Sequence, residues 1–153
     1  MKHLSIILIS IFIVSCSSPN KSNTEQSAPV EDQSSIVEKP SADSSYVFFN
    51  HPADGASVPS PVYIEMGVSG MVVEPAGEVR EGFGHHHVLI NQTSWPEGSV
   101  IPMSDSTLHF GKGQTDTTIE MEPGEYTIAL QFANGVHSSY GEKMAASITI
   151  IVE

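Results

Sequence analysis

Residues 84–87 read Gly-His-His-His and run directly into Val88-Leu89-Ile90. Three consecutive histidines at the start of an apolar run predict a strand that opens with imidazoles. In an extended strand successive side chains point to opposite faces. His85 and His87 therefore share one face, with Cα atoms roughly 6.5–7 Å apart, and His86 points the other way with Val88 and Ile90. That spacing lets two imidazoles grip one ion, and neutral imidazole suits copper, zinc and nickel. His109 and His137 are the candidate third and fourth ligands. Glu78, Glu81 and Asp105 lie in adjacent loops, where a carboxylate can accept the second ring N–H of a metal-binding histidine.

Other readings of the same residues stay open. Histidines can form a structural hydrogen-bond network, or a proton-linked switch, because their charge changes near neutral pH. His51 precedes Pro52 and reads as a turn residue. Met66, Met71, Met103, Met121 and Met144 show no Met-x-x-Met or His-x-x-Met run and read as core and loop residues. The segment Gly111-Lys112-Gly113-Gln114-Thr115 lacks the order of a phosphate loop and reads as a tight turn. Lys112 and Gln114 in it remain candidates for an anion or ligand contact. No G-x-S-x-G elbow or H-E-x-x-H helix is present, and the single cysteine, Cys16, is expected to be lipidated and so leaves no thiol nucleophile, which argues against an enzyme. The ligand spacing and cysteine pair of a copper-zinc superoxide dismutase are absent as well.

The elements that position these residues read as strands. Short alternating runs cover residues 46–49, 62–68, 85–91, 107–110, 115–121, 126–133 and 148–152, separated by Gly- and Pro-rich turns. The pattern predicts an all-β domain, an immunoglobulin-like β-sandwich of about seven strands. Tyr126, Ile128, Leu130 and Phe132 share one face of one run. The Pro123-Gly124-Glu125-Tyr126 segment resembles the entry to a penultimate strand with a tyrosine corner.

The N-terminus reads as a targeting signal. Lys2 precedes an apolar run too short for an ordinary membrane span, and Ile13-Val14-Ser15-Cys16 fits a bacterial lipobox. Residues 1–15 are expected to be a lipoprotein signal peptide and Cys16, the only cysteine, the lipid-bearing (palmitate) residue. The mature chain then has no thiol for a disulfide. Residues 16–44, rich in Ser and Pro, read as a disordered tether, and residues 45–153 as one β domain. That domain carries 13 acidic residues against Arg80, Lys112 and Lys143, which argues against nucleic acid as a partner. The expected location is the bacterial cell envelope, attached to the membrane through the N-terminal lipid. Ser18, in place of Asp, favours the outer membrane.

Three segments carry a resemblance: His51-Pro52-Ala53-Asp54-Gly55-Ala56 with Val58, Gly84-His85-His86-His87 with Val88-Leu89-Ile90, and Leu108-His109-Phe110-Gly111-Lys112-Gly113-Gln114-Thr115. With Pro75-Ala76-Gly77, Pro123-Gly124 and the surroundings of His137, the domain resembles the bacterial family catalogued as domain of unknown function 4399. The resemblance implies an extracytoplasmic β domain and no established activity. Family members often carry a further histidine after the position of His137 and another after the Pro-Gly turn. Here those regions hold Ser138-Ser139-Tyr140 and Glu125-Tyr126.

The expected function is binding: a copper or zinc site built from His85, His87, His109 and His137. The alternative is a non-catalytic interaction module of the envelope, for a protein or glycan, with structural histidines.

Overall fold

The fold follows from strands that alternate apolar and polar residues. The computed structural model describes residues 44–153. The expected signal peptide, Cys16 and the tether as far as residue 43 lie outside the described residues. Among the described residues no helix is long and apolar enough to cross a membrane.

Among the described residues nine strands form two sheets: β1 (Tyr46–His51), β2 (Ala56–Val58), β3 (Val62–Ser69), β4 (Val72–Val73), β5 (Phe83–Ile90), β6 (Thr107–His109), β7 (Asp116–Ile119), β8 (Gly124–Ala133) and β9 (Ala145–Val152). The smaller sheet has the order β1-β3-β7 and is antiparallel throughout. The larger runs β2-β9-β8-β5-β4, and β6 pairs with the C-terminal half of β5. In β3 the alternation is direct: Val62, Ile64 and Met66 are buried, while Tyr63 and Glu65 are exposed. These residues pack with Val47 of β1 against Val88, Ile128, Leu130, Phe132 and Ile150 of the larger sheet. Each fully buried aliphatic or aromatic side chain contributes about 1.5–3 kcal/mol. The chain's only cysteine lies outside the domain, so no disulfide assists this core.

The expected all-β architecture is thus present, with nine strands where about seven are expected. The additional β2 and β4 have three and two residues, too few to show a period. Both pair in parallel, with β9 and β5 respectively, and a parallel pairing leaves no hairpin signal. Tyr126 donates its hydroxyl to the Glu122 carbonyl at 3.1 Å on the penultimate strand, the contact expected of a tyrosine corner.

A second apolar cluster lies on the other face of the large sheet. Leu89, Ala129 and Ala133 alternate away from the central core and pack with Ile101 and Trp95. β5 is buried along both faces as a result. The small side chains at Ala129 and Ala133 leave room for the covering segments around residues 95–101 and 134–141. Gln131, fully buried on the same face, ties that cover down. Its Oε1 accepts the Trp95 backbone N–H at 2.8 Å, and its Nε2 donates to the carbonyls of Gly141 and Met144 at 3.0 and 3.1 Å.

Candidate metal centre

β5 divides its three histidines as the strand period requires. His86 enters the central core, its ring edge-on to Phe132 with centroids 5.0 Å apart. His85 and His87 project to the opposite, loop-covered face and are also buried. Register then supplies the third histidine: His109 of β6 stands directly across from His87, the position where antiparallel side chains meet. On the other side of β5, His87 pairs with Gln131 and His85 with Ala133. The fourth histidine comes from the turn after β8, where no strand period applies.

That turn is held by its own hydrogen bonds. Asn134 Oδ1 accepts the backbone N–H groups of Val136 and Ser138 at 3.1 and 3.0 Å. The His137 N–H donates to the Asn134 carbonyl at 2.9 Å, and the His137 carbonyl accepts from Ile101 at 3.0 Å. His137 itself has φ 67°, a left-handed conformation that costs a residue with a Cβ roughly 1–2 kcal/mol. Strain of this kind concentrates at functional sites; here it directs the imidazole over β5.

The four rings converge through their Nε2 atoms. His85 Nε2 and His87 Nε2 are 3.2 Å apart, and His109 Nε2 and His137 Nε2 are 3.1 Å apart. At metal–nitrogen distances near 2.1 Å, the nitrogen–nitrogen edge of a tetrahedral site is roughly 3.4 Å, so both pairs stand close to the ligand spacing. One ring nitrogen each from His85, His109 and His137 lie within 4.8 Å of one another, and closing that set around one ion takes shifts of less than about 2 Å. The His87 ring centroid is 5.1 Å from that of His109 and 6.0 Å from that of His137. A cavity of about 260 Å³ opens over the cluster, lined by His87, Ile101, Met103, His109 and His137.

Gly111 sets the place of His109. A Cβ at residue 111 would collide with Cε1 and Nε2 of the His109 ring, so the ring lies where only glycine leaves space. The signal for this was present in the sequence as the glycine two residues after a histidine, but its meaning depends on the turn that folds one over the other.

Burial decides the protonation of the strand histidines. It lowers His85 from 6.5 to about 4, with smaller contributions from His109, His137 and His86. His86 falls to about 4 by burial alone. His87 falls to about 3, by burial and then by its histidine neighbours. His109 is lowered by burial and by His137. The buried pair His85 and His87 is therefore neutral at pH 7 and offers lone pairs rather than charge. Their 3.2 Å contact requires one Nε2 to carry a proton and the other to accept it. Coordination through both Nε2 atoms then needs a tautomer shift to Nδ1 and no loss of charge.

The carboxylates expected beside the cluster do not reach its strand pair: Nδ1 of His85 and Nδ1 of His87 are buried without a hydrogen-bond partner. The reason is burial: both rings lie inside the covered face of β5. Lys112 and Gln114 are exposed on the turn after β6. Gln114 uses its Oε1 to accept the Lys112 backbone N–H at 2.8 Å, which closes the turn locally. Gly113 in that turn has φ 77°, the left-handed conformation expected of a tight turn. His51 ends β1 in the smaller sheet, its ring 5.7 Å from that of Tyr63. Of the methionines, Met66 and Met144 are core residues, Met71 and Met121 pack against the core, and Met103 is 78% exposed at the cavity.

A family model described as a domain of unknown function (DUF4399) matches residues 64–153, which include all four converging histidines. No curated protein and no solved structure matches the chain.

Proposed function

From the premise that the chain belongs to this family, DUF4399, whose description assigns no activity, we propose that the domain binds one transition-metal ion, copper or zinc. His85, His109 and His137 are the primary ligands and His87 completes the set. The observation that carries this reading is the convergence of four imidazoles from β5, β6 and the turn after β8, with paired Nε2 atoms 3.2 and 3.1 Å apart. The donor set is all imidazole, neutral at the strand pair, and open through a cavity on one side. Such a set matches copper, zinc and nickel in donor type and lacks the oxygens that calcium or magnesium demand. The role is binding without catalysis, in a lipid-anchored protein of the bacterial envelope.

The test is metal content of the full chain by elemental analysis, with affinity by competition against a chelating dye. About one equivalent of zinc or copper is expected, lost in the His85→Asn/His87→Asn double variant. Two Nε2···Nε2 hydrogen bonds already pair the four rings without an ion, and this observation favours the second reading, an envelope interaction module with structural histidines. Unchanged metal affinity with lowered stability in the double variant would establish it instead.

A further inference from the structure

Met103 has no packing role, and its place in the fold is fixed. The other four methionines among residues 44–153 lie in or against the central core, whereas Met103 is 78% exposed. Burying a thioether of this size contributes about 1.5–3 kcal/mol, and at residue 103 most of that is forgone. The backbone just before it is tied to the segments that carry the two outer histidines. Ile101 N–H donates to the carbonyl of His137 at 3.0 Å, and Val100 forms a bridge with Ser138. The Pro102 carbonyl accepts the hydroxyl of Thr107, two residues before His109 on the same strand. Met103 is thus held between the segments that carry His109 and His137, and its side chain lines the same cavity as His87, His109 and His137.

We propose that the ion exchanged at this site is copper in its cuprous state, and that Met103 is a ligand at the mouth of the cavity. The proposal rests on the metal-binding reading above and selects among its ions. A thioether is a soft, neutral donor that suits Cu(I) and adds little to a zinc site of imidazoles. Its exposed position makes it the first donor an incoming ion meets, with His109 and His137 next and the buried His85–His87 pair beneath. Entry is a ligand exchange. A Cu–S bond to Met103 forms as a bond to the delivering ligand breaks, copper stays Cu(I), and no electron moves. In the loaded site copper keeps the Met103 sulfur and adds imidazole nitrogens from the histidines that share its cavity. Binding through neutral donors also leaves Cu(I) with a single positive charge in an acidic domain.

The full chain is titrated with Cu(I) in competition with bicinchoninate, and separately with Zn(II) against a chelating dye. Wild type, Met103→Leu and His85→Asn/His87→Asn are compared. Leucine keeps the volume and removes the sulfur, and at an exposed position it leaves folding intact. Loss of roughly tenfold or more in Cu(I) affinity for Met103→Leu, with Zn(II) affinity retained, is the expected result. X-ray absorption of the Cu(I)-loaded wild type should then show sulfur scattering that Met103→Leu lacks. Equal Cu(I) affinity in Met103→Leu, with metal lost in the double histidine variant, overturns the role of Met103 and leaves the metal site standing. Equal loss of Cu(I) and Zn(II) in Met103→Leu overturns it too, since Met103 would then act only as a cover. Full retention of both metals by the double histidine variant overturns the metal reading itself.

Discussion

His86 and its two neighbours are the same residue on the same strand, and they live in different chemistry. His85 and His87 each face three other imidazoles, and His87 lines a cavity. His86 faces Phe132, and neither of its ring nitrogens has a hydrogen-bond partner. The strand period alone makes the division. One face of β5 is a convergent donor set, the other a packed interior with an ill-matched polar ring. Burial is nearly equal on both sides, so burial does not distinguish a binding face from a structural one. What distinguishes them is whether the lone pairs meet.

Acid should expose the cost on both faces together, and this is the largest effect expected. Folded His85 and His86 titrate at about 4 and His87 at about 3, against 6.5 for a free side chain. Above pH 6.5 the folded and unfolded chains are both neutral at these groups, and the three contribute no pH dependence. Below it the unfolded chain gains protons that the folded domain refuses until about pH 4, so stability falls as pH falls. The urea midpoint of the metal-free full chain should therefore decline from pH 6.5 toward 4. The slope should be shared by the two faces: His85→Asn/His87→Asn removes the larger part and His86→Leu the smaller. A midpoint flat between pH 7 and 5 would break the comparison, because it would mean that the histidines charge in place.

The outer face can be disturbed without touching a ligand. In Gly111→Ala the new methyl occupies the space of the His109 ring and pushes it off the cluster. Gly111 does not have positive φ, so the backbone conformation itself admits alanine. Metal affinity should fall about 10- to 100-fold, the range seen when the support of a ligand is removed. The urea midpoint should move much less than in a core truncation. A Gly111→Ala variant with wild-type affinity would mean that His109 is not a ligand, and that β6 serves only to cover the edge of β5.

These effects show which parts of the molecule were legible in the sequence. The pairing of His85 with His87, and the departure of His86 to the other face, follow from a period of two that any strand obeys. The inner face of β8 is legible for the same reason, in Ile128, Leu130 and Phe132. His109 was identifiable as a candidate, but its register opposite His87 depends on a three-residue strand whose pairing is decided by the fold. His137 reaches the cluster through a left-handed turn, which residue types alone do not announce. The site of Met103 was not legible at all. Its place comes from hydrogen bonds between residues 101–102 and two other segments, and sequence spacing holds no trace of them. The same holds for β2, whose parallel partner lies far along the chain, and for β4, whose two residues are too few to show a period.

The inner face supplies the smallest effect and the sharpest contrast. Both nitrogens of His86 are buried without a partner, and each such group carries a penalty of about 1–3 kcal/mol. Against this stands the edge-on contact with Phe132, of a kind worth roughly 0.5–1.5 kcal/mol. His86→Leu removes the unsatisfied nitrogens, keeps an apolar side chain of similar volume against Phe132, and gives up the ring contact. The balance lies on the side of the variant, read as a higher urea midpoint at pH 7. Its metal affinity should stay at the wild-type value, because no atom of the outer cluster has changed. Replacing His85 or His87 in the same way should have the opposite signature, with metal lost. If His86→Leu also loses metal, the two faces of β5 are coupled through the strand. The inner histidine would then be a support for the site, with its place in the core explained by function and not by tolerance.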